Sequence, residues 1–164
     1  MTESPRRWSA GSLRTARPAL RFVLLLSLLA TAFAQRPHPA SWTLNGPAAP
    51  VAPGGELLLK LDLTLTEPWH MYSMTTPPGG PIATTIKLED TPAVASWSVF
   101  QPHAERKFDP NFGIDTNTYE KNVRFYLKVL LKPDAATGPL ELSTRMRYQL
   151  CTDKECMPPK PMTA

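Results

Sequence analysis

The chain is 164 residues long, enough for one domain of ordinary size. Its net charge of +4 is unevenly placed: Arg6, Arg7, Arg14, Arg17 and Arg21, against Glu3 alone, lie in the first 34 residues. Beyond them thirteen basic and thirteen acidic residues balance, which argues against a basic patch for nucleic acid or anionic lipid.

The leader explains that charge. In "RFVLLLSLLATAFA" an apolar core, Phe22 to Ala30, follows the arginines and is too short to span a bilayer comfortably. It ends in Ala32-Phe33-Ala34, an A-x-A signal, so residues 1–34 are expected to be a signal peptide cleaved before Gln35. No later segment reaches membrane-spanning length. The mature chain is expected to be periplasmic or secreted, without a membrane span, where disulfides persist.

Residues 35–55 are rich in proline, alanine and glycine and form an extended lead-in with a candidate first strand at Ser41 to Asn45. Residues 56–164 are expected to complete a single β-sandwich domain. "ELLLKLDLTLT", Glu56 to Thr66, alternates with Leu57, Leu59, Leu61, Leu63 and Leu65 on one face, the period of a strand with one buried side. Further strands are expected at Trp69–Met74, Ile82–Leu88 and Ser96–Phe100, with a Pro-Gly turn at Thr75–Pro81. Gln101 to Glu120 lacks strand character and is expected to be a long loop. Its aromatics, Phe108, Phe112 and Tyr119, suit a loop folded back over something. Lys121–Leu131 alternates Val123, Phe125, Leu127, Val129 and Leu131, and the stretch from Leu140 alternates again to Leu150.

No segment has a convincing helical period. About seven strands separated by turns, with nineteen prolines lying mostly between them, predict an all-β fold, an antiparallel β-sandwich.

The chemistry converges on "RYQLCTDKECMPPKPM", which holds the two cysteines of the chain, Cys151 and Cys156. If Thr152 to Glu155 form a four-residue hairpin loop, the cysteines face each other at a separation a disulfide accepts. So small a closed loop gains only about 2 kcal/mol in the chain-entropy model, a weak reason for a pure staple. A thiol switch needs a thiolate, which Lys154 would favour and Asp153 and Glu155 oppose. A Cu(I) site would need further ligands from His70, His103, Met71, Met74, Met157 or Met162, whose spacing fits no standard metal signature. Staple, switch and clip all stand on the residues alone.

The same segment resembles the N-terminal periplasmic domain of the thiol:disulfide interchange protein DsbD family. Tyr148-Gln149, Cys151, Cys156 and Pro158-Pro159 match its Tyr-Gln-x-Cys start and Cys-x-Pro-Pro end. "PWHMYSMTTPPGGPIATTIKL" is similar to its Trp-His-x-Tyr segment, and "YEKNVRFYLKV" to the following strand. The resemblance covers about residues 42–162. It implies an immunoglobulin-like sandwich whose cysteine pair shuttles between dithiol and disulfide with no cofactor or metal. It implies a component of a protein-disulfide reductase, with Cys156 forming the mixed disulfide and Cys151 resolving it. Asp109 to Gly113, with Asn111 and Phe112, becomes the cap over the pair, Phe112 its shield and Phe108 a substitute for a missing aromatic. Tyr148, Glu120, Pro158 and Pro159 become neighbours of the pair. The implied partners are periplasmic thioredoxin-like proteins serving cytochrome c maturation and disulfide isomerisation. The family's membrane and C-terminal thioredoxin-like domains are not within these residues, so the resemblance implies a membrane-embedded electron donor supplied by a separate protein. The cysteines are four residues apart where the best-known members use five. The chain is expected to leave little for a final strand after the hairpin.

Overall fold

The computed structural model describes residues 38–164; the leader and its expected cleavage point lie outside the described residues. The described residues contain strands and no helix, so none long and apolar enough to cross a membrane.

Two long alternating strands make the centre. β2 (Glu56–Leu65) and β8 (Asn122–Leu131) pair antiparallel, with Leu61 opposite Phe125 and Leu59 opposite Leu127. β1 (Ala40–Asn45) flanks β2, and β5 (Val94–Phe100) flanks β8, giving a sheet of order β1-β2-β8-β5. The strict alternation of both central strands sends Leu57, Leu59, Leu61, Leu63 and Leu65, and Val123, Phe125, Leu127, Val129 and Leu131, into the core. Burying each such side chain stabilises by about 1.5–3 kcal/mol.

Two smaller antiparallel sheets supply the rest of the core. One has order β10-β3-β7-β6, from β3 (His70–Tyr72), β6 (Glu105–Asp109), β7 (Ile114–Glu120) and β10 (Leu150–Cys151). The other has order β11-β9-β4, from β4 (Thr85–Leu88), β9 (Thr144–Tyr148) and β11 (Lys160–Thr163). Met71, Tyr119 and Leu150 from the first, and Ile86, Leu88, Met146 and Tyr148 from the second, join the leucine face in one cluster. Phe125, fully buried, ties the layers together: its ring lies 5.6 Å edge-on from Tyr119 of β7 and 5.8 Å from Trp42 of β1.

Three expectations are corrected. Gln101 to Glu120 is largely the hairpin β6–β7, with Lys107 opposite Thr116 and a tight turn after Asp109. Its buried positions are Asp109, Thr116, Thr118 and Tyr119, so the apolar alternation that marks β2 is missing although the backbone pairs regularly. The strand expected from Leu140 starts at Thr144 and breaks at Gln149, where the chain passes from one small sheet to the other. The Gln149 side chain stands in for a ladder bond, its Oε1 accepting from the Ile82 N–H at 2.9 Å. A final strand, β11, does follow the hairpin and pairs with β9, with Lys160 opposite Tyr148. Pro161 sits within it, as proline can on an edge strand.

Lys121 alone separates β7 from β8, which belong to different sheets. It takes φ 61°, a left-handed conformation that costs a side-chain-bearing residue about 1–2 kcal/mol. Its carbonyl accepts from the Leu65 N–H at 2.7 Å, which fixes the crossing.

Candidate redox site

Cys151 ends edge strand β10, opposite His70 of β3, while Leu150 stands opposite Met71. The chain then turns through Thr152–Glu155. The Thr152 N–H donates to the Glu155 carbonyl at 2.8 Å, and the Thr152 hydroxyl accepts from the N–H groups of Lys154 and Glu155, both at 3.2 Å. Threonine hydroxyls support turns in this way. Cys156 is thereby bridged to Cys151, their Cα atoms 4.1 Å apart, and the two form a disulfide. The Met157 N–H closes the hairpin base on the Leu150 carbonyl at 2.8 Å. Pro158 and Pro159 follow; neither carries an N–H, so the ladder stops there.

The two half-cystines are unlike in environment. Cys151 is 0% exposed, whereas Cys156 is exposed. Side chains alternate along β3 and β10, so Met71 and Leu150 point into the core and His70, Tyr72 and Cys151 occupy the opposite face. That face is nevertheless buried: His70 is 3% and Tyr72 0% exposed.

The turn of the β6–β7 hairpin packs against Tyr72 on that face. Asp109 organises this turn, its Oδ1 accepting from the Asn111 backbone N–H at 2.9 Å and from Asn111 Nδ2 at 3.2 Å. The Gly113 N–H returns to the Asp109 carbonyl at 2.8 Å, and Gly113 takes φ 70°, which glycine adopts without strain. Asn111 Nδ2 also donates to the Thr152 carbonyl at 2.8 Å, tying the turn to the cysteine hairpin. Phe112 is partly buried with its ring edge-on to Tyr72 at 6.0 Å. Gly80 backs the turn so closely that a Cβ there would lie 2.6 Å from Ile114 Cδ1.

Beneath the turn lies a polar group that sequence reasoning did not assemble. The Tyr72 hydroxyl donates to Asp109 Oδ2 at 2.5 Å, and His70 Nε2 lies 3.1 Å from the same hydroxyl. His70 Nε2 is 3.8 Å from Asp109 Oδ2. Burial, and then the Asp109 hydrogen bond, push the Tyr72 phenol well above its ordinary range. Burial, with Lys107 second, lowers the His70 pKa below its ordinary 6.5, against the opposing pull of Asp109, Glu120 and Asp153. His70 carried a sequence signal as a candidate copper ligand and as part of the Trp-His-x-Tyr resemblance. Its link to Asp109 depends on pairing across the sheet, which no local pattern encodes.

The remaining candidates fall in different places. Glu120 stands opposite His70 on the side away from Cys151, and Lys107 pairs with it and lowers its pKa. Phe108, expected as a substitute shield, is 62% exposed; it precedes Asp109 in β6, and alternation turns the two residues to opposite sides. Tyr148 belongs to the core, its ring 5.4 Å from Trp42 and 6.1 Å from His38. Pro158 is exposed and Pro159 partly buried. Of the copper candidates, Met71 is fully buried in the core, while Met74, Met157 and Met162 pack against it. Among the described residues no cluster of three or more His, Cys, Asp or Glu side chains is placed to hold a metal ion.

Fold and site together define an immunoglobulin-like antiparallel β-sandwich with one asymmetrically buried disulfide on an edge hairpin that is hydrogen-bonded to the β6–β7 turn. Residues 43–164 match the family model described as thiol:disulfide interchange protein DsbD, N-terminal, and the chain belongs to that family. Among solved structures it is similar to the N-terminal periplasmic domain of ScsB from Proteus mirabilis, at 19% identity and a TM-score of 0.52. That likeness covers 76% of this chain and 43% of the ScsB chain, so the chain spans less than half of that relative's length. The N-terminal domain of Neisseria meningitidis DsbD in the reduced form aligns at 15% identity and a TM-score of 0.40, over 75% of this chain and 82% of that one. No curated protein matches the chain.

Proposed function

We propose that the protein is an exported thiol:disulfide exchange module that relays reducing equivalents through Cys151 and Cys156 to periplasmic thioredoxin-like acceptors. The observation that carries this reading is the asymmetry of the disulfide: Cys156 is exposed and Cys151 fully buried. A staple needs no such difference. A switch uses it, because the partner's sulfur must reach one half-cystine while the other is kept from solvent.

The exchange runs in two halves. A donor thiolate attacks Cys156 Sγ, the bond to Cys151 breaks, and Cys151 leaves as a thiolate and takes a proton. A second donor thiol then releases Cys156, and the donor leaves oxidised. Cys156, as thiolate, attacks an acceptor disulfide and expels one acceptor sulfur. Cys151 attacks Cys156 Sγ, re-forms the native disulfide and releases the reduced acceptor. Two electrons pass in each half. Asn111 and Phe112 cover the pair between encounters.

In this reading residues 1–34 are a cleaved signal peptide, and the domain acts in the periplasm or outside the cell. A separate membrane-embedded protein supplies the electrons, and the acceptors serve cytochrome c maturation or disulfide isomerisation. The chain is then one component of a protein-disulfide reductase system. The test is a reduction potential measured against a panel of thioredoxin-like acceptors. Exchange with an acceptor, at a potential above about −300 mV, supports the reading. A potential below that value with no acceptor reduced would mark a structural staple instead.

A further inference from the structure

We propose that His70 is the proton acceptor that activates Cys151 for the resolving step; this rests on the exchange reading above. Two observations converge on it. Cys151 is fully buried, so water has little access to its thiol, least of all with a partner docked on Cys156. His70 is the residue directly opposite Cys151 in the β3–β10 ladder. Facing Cβ atoms in an antiparallel pair stand about 4.5–5.5 Å apart, within reach of an imidazole.

The other acids and bases around the pair are otherwise engaged. Asp109 holds the Tyr72 hydroxyl and Asn111. Glu120 lies across β3 from Cys151 and is paired with Lys107. Asp153 is exposed on the hairpin turn. The tautomer of His70 follows from its neighbours. The Tyr72 hydroxyl gives its hydrogen to Asp109 Oδ2, so its oxygen accepts from His70 Nε2–H. Nδ1 then keeps the free lone pair, and among the described residues it has no hydrogen-bond partner. The chain Asp109–Tyr72–His70 thus orients the imidazole with its basic nitrogen unused, as carboxylate partners orient histidines elsewhere.

In the step, the Cys151 thiol gives its proton to His70 and its thiolate attacks Cys156 Sγ. The native S–S bond forms, the bond from Cys156 to the partner breaks, and the partner leaves as a thiolate carrying both electrons. In the opposite half-reaction the imidazolium returns the proton to Cys151 as it leaves. The groups that face His70 are Tyr72 on its own strand, Lys107 and Asp109 from β6, Glu120 from β7 and Asp153 from the cysteine hairpin.

The reduced full chain, mixed with excess 5,5′-dithiobis(2-nitrobenzoate), separates the steps. Attack by Cys156 releases one thionitrobenzoate, and resolution by Cys151 releases the second. In His70→Gln the ratio of second-phase to first-phase rate constants falls by roughly tenfold or more, in line with loss of a general base. The wild-type second phase falls with an ionisation below pH 6.5, the ordinary histidine value, which the variant lacks. A variant slowed by structural damage alone keeps that ionisation, and such a result overturns the proposal. Should His70→Gln fail to fold, the wild-type profile decides, because a second phase governed by thiol ionisation alone also overturns it. A wild-type protein that releases no second thionitrobenzoate contradicts the exchange reading itself.

Discussion

Asn111 Nδ2 donates to the Thr152 carbonyl at 2.8 Å, so the β6–β7 turn and the cysteine hairpin are joined by a side-chain bond. The same amide is held from behind by Asp109 Oδ1. Such a bond contributes about 1 kcal/mol net, which corresponds to about a fivefold change in an opening equilibrium. Asn111→Ala is expected to raise hydrogen exchange at the Gly113 amide, which donates to the Asp109 carbonyl, by about that factor. Unchanged protection would show that the bond does not hold the turn closed.

Exposure of the half-cystines should carry over to the reduced thiols. Iodoacetamide is expected to alkylate Cys156 at least roughly tenfold faster than Cys151 at neutral pH, since accessible thiolate sets the rate. Peptide mapping after a short pulse measures both. Equal labelling would remove the structural basis for assigning different roles to the two.

Burial lowers the pKa of His70 in the folded state, so the unfolded chain takes up a proton at higher pH than the native one. Stability from this group is fully present above the unfolded value of 6.5 and is lost as pH falls toward the folded value. Denaturant unfolding between about pH 6.5 and 5 should show stability declining with falling pH, by at most about 1.4 kcal/mol per unit from this one group. In His70→Gln that part of the slope disappears. A slope unaltered by the substitution would mean that His70 takes its proton as easily in the fold as out of it.

Lys121 in its left-handed crossing gives a prediction about the scaffold. Replacing it by glycine removes the conformational cost of about 1–2 kcal/mol but adds chain entropy of about 0.5–1 kcal/mol to the unfolded state. Lys121→Gly is therefore expected to be neutral to stabilising by about 1 kcal/mol, and Lys121→Val destabilising by more than that. Urea midpoints at constant m value measure both; a strongly destabilised glycine variant would contradict the argument.

What could be read from the sequence follows from where apolar side chains carry the pattern. β2 and β8 announce themselves because leucine, valine or phenylalanine recurs at every second position through ten residues each. In β7 the buried residues include Thr116 and Thr118, so the pattern reads as polar even though threonine suits strands. β11 is hidden by Pro158, Pro159 and Pro161, which suggest a broken chain and yet are compatible with an edge. The role of the turn around Phe112 rests on resemblance alone, while Phe108, expected in a loop, lies in β6 on the exposed side. The group of His70, Tyr72 and Asp109 joins positions 37 residues apart, and only the pairing of β3 with β7 and of β7 with β6 brings them together.

The central claim, that Cys156 exchanges with a partner and Cys151 resolves, is tested most directly by trapping. Reduced Cys151→Ser and Cys156→Ser variants are each mixed with an oxidised thioredoxin-like acceptor and quenched with acid. The account predicts that Cys151→Ser accumulates a covalent complex through Cys156, and that Cys156→Ser forms no complex and leaves the acceptor oxidised. A Cys156→Ser variant that still reduces the acceptor would contradict it.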